Sequence, residues 1–302
     1  MKSLAIRAVL VACVLTLSIS GVASASHYLR LSTGTILHWK SNSTTSTSRT
    51  VRLYDDMLST TTGERWRTWI NSSRIDWDAS ARLSLPAGYF DSVATIDCPW
   101  SGTGVEVCNW SNYNGYGNNG ALYAGLAEFL VVSSAGHISR GRVRLDDANS
   151  GASQPTWTCS DRFGGTTACE NYARATACQE LGHEFGLDHV GGSTCMGNGY
   201  FAASLGQLSP NTHDISAIDS SHNHSDTSAA AAASITSTAE TSAPSSAAPS
   251  DRVIPIPPPG DCARRQVTAE LFVERTCDLP QASPEDLRII FVIPRPSMRP
   301  HP

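Results

Sequence analysis

Residues 179–189 read Gln-Glu-Leu-Gly-His-Glu-Phe-Gly-Leu-Asp-His, and their types and spacing suit metal-assisted hydrolysis. On a helix, positions 179 and 183 lie one turn apart on the same face, so both side chains reach one ion. Glu180 is rotated by about 100° from that line, as ~3.6 residues per turn requires, and stands beside a metal without ligating it. Gly186 lets the chain leave the helix sharply, and His189 then swings back as a third ligand. The related pattern H-E-x-x-H-x-x-G-x-x-H holds zinc with three imidazoles and uses the glutamate to activate water. A three-ligand zinc keeps a position open for water, lowers that water's pKa towards ~7 and polarises a carbonyl. Glu180 would take the proton from that water and later deliver it to a leaving amine.

The first ligand position departs from that pattern, because Gln179 stands where an imidazole is expected. A glutamine amide oxygen ligates, but it is neutral and a weaker partner for zinc. Three readings follow. Gln179 is itself a ligand; or zinc is held by His183, His189 and a histidine from elsewhere, such as His213, His222 or His224; or catalysis is lost and the fold persists as a binding module. Glu180, His183, Gly186, His189 and Met196 are all present, and a site kept for zinc alone has no need of a general base. That favours hydrolysis.

The elements that must position these residues are partly legible. Asn171–Phe185 has helical periodicity and ends at Gly186. Leu126–Val132 and His137–Leu145 read as two strands joined by a turn at 133–136, with Gly141 marking a bulge or a close approach. Tyr54–Ile70 can carry a helix, and Asn112–Gly120 is a loop. That loop and Asp146-Asp147 offer oxygens of the kind calcium uses, although turn chemistry explains them equally well. His137 reads as a packing or exposed residue on its strand, His213-Asp214 as a helix cap, and Asp188 as a partner orienting a ligand imidazole.

The ends of the chain bound its setting. Lys2 and Arg7, the apolar run Ala8–Ile19 and Ala23-Ser24-Ala25 compose a secretory signal cleaved after Ala25. The expected organisation is a signal over 1–25, a peptidase-like domain over 26–220, a Ser/Ala/Pro-rich linker over 221–260, and a short tail over 261–302 with one cysteine pair. Nine cysteines less Cys13 in the leader leave eight, which an exported chain uses as disulfides. Consecutive pairing gives 98–108, 159–169, 178–195 and 262–277, and a Cys178–Cys195 bond would fix the helix against the segment that follows it. A net charge of -5, from 22 basic and 27 acidic residues, argues against a nucleic-acid surface or a polybasic membrane anchor.

Cys178–His189 followed closely by Cys195-Met196 resembles the metzincin zinc metallopeptidases, whose zinc site rests on a methionine turn. The His189-to-Met196 spacing is similar to that of the matrixin and adamalysin-like branch. The resemblance covers roughly residues 90–225 and is concentrated at 178–196. It implies an α+β metzincin-like (zincin) domain with a small twisted sheet, an active-site helix and a Met-turn. Zinc would be held by Gln179, His183 and His189, with Glu180 as general base and Gly186, Met196, Cys178 and Cys195 supporting the site. Pro210–Asp214 looks like the start of the family's final helix. The substrate would be a protein or peptide lying along an edge strand near 137–145. Two family features are absent: no tyrosine follows Met196 closely (Tyr200 is nearest), and no cysteine-switch segment stands between Ala25 and Val51. The function expected is a secreted, monomeric zinc metalloendopeptidase without stable membrane association. The alternative is a non-catalytic secreted zinc-binding or peptide-binding protein of the same fold.

Overall fold

The computed structural model describes residues 27–41, 46–57, 61–87, 98–100, 103–110, 123–146, 166–197, 206–226, 252–258, 261–268, 270–277 and 286–294. The signal-like leader, Cys159 and with it the expected 159–169 pair, the Asn112–Gly120 loop, Asp147 and Tyr200 lie outside them, as does most of the Ser/Ala-rich stretch.

In chain order the elements are β1 (Leu29–Leu31), β2 (His38–Trp39), β3 (Arg49–Thr50), β4 (Arg52–Asp55), α1 (Thr61–Trp77), β5 (Leu83–Ser84), β6 (Gly104–Trp110), β7 (Tyr123–Val132) and β8 (His137–Asp146). Then come α2 (Thr166–Glu184), α3 (Thr212–Ser221), β9 (Arg252–Ile254), β10 (Arg265–Thr268), β11 (Leu271–Arg275) and β12 (Leu287–Pro294). This is a mixed arrangement of α-helices and one principal sheet, as the α+β expectation required.

That sheet has eight strands in the order β10-β11-β12-β7-β8-β6-β4, with β2 also pairing with β8. β4, β6 and β8 run parallel, β7 and β8 form an antiparallel hairpin, and β12 lies antiparallel to β7. Alternation explains which side of each strand is buried. Ala127, Phe129 and Val131 of β7 face the main core with Leu287, Ile289 and Phe291 of β12. Leu126, Ile290 and Val292 form a separate cluster, as residues of opposite parity must. The main core also takes Trp66, Ile70 and Trp77 from α1 and Ala173, Ala177, Leu181 and Phe185 from and just beyond α2.

The β7–β8 hairpin and its 133–136 turn fall where the sequence placed them, and α2 spans the anticipated active-site helix. Three expectations are corrected. Residues 137–145 are not a sheet edge, because β8 is flanked by β7 on one side and by β2 and β6 on the other. The tail is not an appendage: β10–β12 extend the main sheet, since Leu271–Arg275 and Leu287–Pro294 supply apolar residues on both faces of a buried strand pair. The ends of the expected linker also pack on the domain. Ser221 and His222 are buried, and β9 pairs in parallel with β1.

Disulfides join Cys98–Cys108, Cys178–Cys195 and Cys262–Cys277, as consecutive pairing anticipated. Among the described residues no helix is long and apolar enough to cross a membrane.

Candidate metal centre

α2 carries Gln179, Glu180 and His183 on its C-terminal turns, and all three side chains are fully buried. The helix ends because Gly186 adopts φ +86°, a conformation that side-chain-bearing residues avoid. The amide of Gly186 then bonds the His183 carbonyl, and that of Leu187 the Gly182 carbonyl. A Cβ at Gly186 would also stand 2.4 Å from the Leu37 carbonyl oxygen, so glycine is required twice over. The turn aims His189 back at the helix, where its Nε2 lies 3.0 Å from Nε2 of His183.

Both imidazoles are oriented through their other nitrogens. His183 Nδ1 donates to the Leu187 carbonyl at 2.9 Å, which leaves Nε2 with its lone pair. Burial, with His189 alongside, holds His183 well below its usual range, so the ring is neutral at pH 7. His189 Nδ1 meets Glu270 Oε2 at 3.0 Å. Asp188, expected in that role, instead bonds the His189 main-chain amide and pairs with Arg252.

Gln179 donates Nε2 to the Gly197 carbonyl at 2.9 Å, and its Oε1 is buried with no hydrogen-bond partner. The Glu180 carboxylate is likewise buried, with the Ala127 amide of β7 as the backbone donor directed at it. Burial, with the charge of Glu270 added, lifts the Glu180 carboxyl well above the usual carboxylate range. The β7 backbone lies close over it, and a Cβ at Gly125 would be 2.3 Å from Glu180 Oε1. Unpaired buried oxygens carry a desolvation cost of several kcal/mol unless something meets them, on the order of ~1–3 kcal/mol each for neutral groups. Two facing imidazole nitrogens and an orphaned amide oxygen make a donor set that fits a zinc ion.

The histidines considered as a third ligand are occupied elsewhere. His213 stacks on His27 beside Asp214, with ring centroids 4.8 Å apart. His222 Nε2 accepts the Trp39 amide at 3.2 Å, and His224 Nε2 faces His38 Nε2 at 2.9 Å. Gln179, on α2, keeps its Oε1 unengaged.

The residues expected to support the site pack around α2. Met196 is fully buried, and its Sδ would lie 2.2 Å from a Cβ at Gly182, so only glycine lets the methionine sit under the helix. The Cys178–Cys195 bond ties α2 to the chain beside Met196. α3 opens with an Asn211 N-cap whose side chain accepts from the amides of His213 and Asp214, and Asp214 bonds Thr194 next to Cys195. Gly141 marks a close approach, since a Cβ there would collide with the Glu184 carboxylate.

Two residues near the site escaped sequence reasoning. Phe291 of β12 stacks on His183 with centroids 4.0 Å apart and planes 8° from parallel. Glu270, between β10 and β11, holds His189. Both follow an unremarkable linker and carry no motif, so only the strand pairing brings them here.

No family model and no curated protein matches the chain. Among solved structures it is similar to archaemetzincin from Archaeoglobus fulgidus complexed with malonate, at 15% identity and a TM-score of 0.31 over 55% of this chain and 99% of that one. It is also similar to high choriolytic enzyme 1, a hatching-enzyme zinc-protease from the medaka fish Oryzias latipes, at 12% identity and a TM-score of 0.23 over 50% of each chain. Superpositions this loose establish neither a family nor an activity.

Proposed function

We propose that the chain is a zinc-dependent metalloendopeptidase of metzincin type, exported and disulfide-bonded, acting on protein or peptide substrates. Gln179 Oε1, His183 Nε2 and His189 Nε2 would hold the zinc, and Glu180 would be the general base. Zinc, when bound, supplies a Lewis acid that polarises the scissile carbonyl and acidifies a water. Glu180 would take a proton from the attacking water and pass it to the leaving amine. Gly125 leaves room for that carboxylate against the β7 backbone. Met196 under Gly182, and the Cys178–Cys195 bond, hold the helix in place for the reaction.

The observation that carries this reading is the pairing of the two Nε2 atoms at 3.0 Å, with the unpartnered Gln179 Oε1 and the buried Glu180 carboxyl on the same helix. Export rests on the leader sequence and on three disulfides, which persist in oxidising compartments. The second reading, a non-catalytic zinc- or peptide-binding protein, is favoured by one feature: β12 already covers the β7 edge.

Counting zinc in the purified chain, with a peptide-library digest of wild type, His183→Ala and Gln179→His, separates the two. The peptidase reading expects one equivalent of zinc to be lost in His183→Ala, and cleavage that depends on that equivalent. Zinc without cleavage by any variant, even with the tail loosened as below, supports the binding protein.

A further inference from the structure

We propose that His38, His137, His224 and Asp226 form a second, structural zinc site that shares no residue with the first. His38 opens β2 and His137 opens β8, and the two are direct register partners in the parallel β2–β8 pair, so their side chains leave the sheet together. His224 and Asp226 arrive from the chain just past α3. The three imidazole Nε2 atoms converge on one carboxylate oxygen: Asp226 Oδ1 lies 3.3 Å from His224, 3.4 Å from His137 and 3.6 Å from His38. Nε2 of His38 and Nε2 of His224 are 2.9 Å apart. Zinc bonds of about 2.0–2.1 Å to nitrogen and carboxylate oxygen put tetrahedral ligand atoms roughly 3.3–3.4 Å from one another. The distances to Asp226 Oδ1 are close to that, His38, His137 and Asp226 all lie within 4.8 Å of one another, and His224 closes the set from the side of His38 and Asp226.

The surroundings orient the ligands as a metal site requires. His38 Nδ1 donates to the Ile36 carbonyl at 3.0 Å, which turns Nε2 inward with its lone pair. Asp226 Oδ2 accepts the Ser41 amide, leaving Oδ1 for the cluster. Buried Arg49 holds the ligand backbone in place through the His224 carbonyl at 2.8 Å and the Trp39 carbonyl at 2.9 Å, and it also lies 3.3 Å from Asp226 Oδ1. His222, adjacent in sequence, is not a ligand, since its Nε2 is engaged by the Trp39 amide. Three imidazoles and one carboxylate are borderline-hard donors that suit zinc, and with no position left open the role is structural. The ion would fasten β2, the β7–β8 turn and the segment after α3 together. Trp39, next to His38, carries that fastening to α2 through its indole bond to the Glu184 carbonyl at 2.7 Å.

Zinc counting by native mass spectrometry of the full chain tests this separately from the peptidase reading. A His183→Ala/His189→Ala chain should still bind one zinc, and adding His224→Ala should abolish it. His224 is the most exposed of the four ligands, at 34% of its side chain, and is the substitution least harmful to folding. The same double variant titrated with cobalt should develop the strong visible bands of a tetrahedral ion. A folded His183→Ala/His189→Ala chain that takes up neither zinc nor cobalt overturns the proposal, and so does a zinc count unmoved by His224→Ala.

A different observation carries a second inference, which rests on the peptidase reading: the C-terminal strands hold the enzyme latent by occupying its own substrate edge. β12 pairs antiparallel with β7 from Leu287↔Val131 to Ile293↔Gly125, as an extended peptide adding to a sheet edge does. Phe291 of that strand lies flat on His183, and Glu270 binds His189. Arg288 reaches the buried Glu128 of β7, and Cys262–Cys277 closes the segment. The test compares peptide cleavage by the full chain with that by Arg288→Ala/Phe291→Ala, which loosens β12 and leaves Glu270 on His189, counting zinc in both. Latency predicts at least a tenfold gain in cleavage with zinc unchanged. Equal rates with zinc retained in both, whether fast or nil, overturn it; absence of zinc at the α2 site overturns the peptidase reading instead.

Discussion

The neutral amide proposed for a zinc position is fixed by its neighbourhood. Gln179 has its nitrogen engaged by the Gly197 carbonyl, so the oxygen is the atom available to an ion. Imidazole is the stronger zinc donor, and Gln179→His is expected to raise zinc affinity at this site by at least about tenfold, read by competition with a chelator. Unchanged affinity would place the amide outside the ligand set. Gly125→Ala should lower kcat with little change in zinc content, because the added methyl occupies the space of Glu180 Oε1, 2.3 Å away. Steady-state kinetics on the tail-loosened chain read that split.

At the scale of elements, α2 is shaped more by what lies under it than by helix propensity. Gly182 in its interior costs ~1 kcal/mol relative to alanine in an isolated helix. Yet Gly182→Ala should destabilise the protein by ~1–3 kcal/mol, since the new methyl would meet Met196 Sδ at 2.2 Å and Trp77 Cζ2 at 2.8 Å. A urea midpoint that rises on substitution would remove the methionine from its place beneath the helix. The sequence announced α2, Gly186, the β7–β8 hairpin and the Cys178–Cys195 bond, because periodicity, turn chemistry and short cysteine spacings are local signals. It did not announce β12 or Glu270, whose position depends on pairing across more than a hundred intervening residues. The four-residue His/Asp cluster was hidden for the same reason. His224 and Asp226 alone stand near each other in sequence, while His38 and His137 meet them only through the β2–β8 register.

For the whole molecule, the sheet is fastened across β8, β7 and β12 by one buried carboxylate. Glu128 pairs with Arg142 and Arg288 and lies 3.4 Å from Arg144. Burial alone would raise its pKa, but the three guanidinium groups outweigh burial and hold it well below the usual carboxylate range. A carboxyl depressed in the folded state contributes stability that is fully present above its unfolded pKa of about 4.3, and that is lost as pH falls below it. Thermal midpoints should therefore drop as pH falls below about 4.3, and Glu128→Gln should remove this component of the drop. At neutral pH the same substitution removes the carboxylate that Arg142, Arg144 and Arg288 share, Arg288 keeping Glu274, and should cost roughly 3–5 kcal/mol.

The proposed zinc peptidase centre on α2 turns on Glu180 as its base. Peptide hydrolysis by Glu180→Gln in the Arg288→Ala/Phe291→Ala background, with zinc counted in the same samples, isolates that role. The prediction is a loss of cleavage of about 10²–10⁴-fold with zinc content unchanged. Cleavage that survives Glu180→Gln, or a chain that binds no zinc through Gln179, His183 and His189, would contradict it.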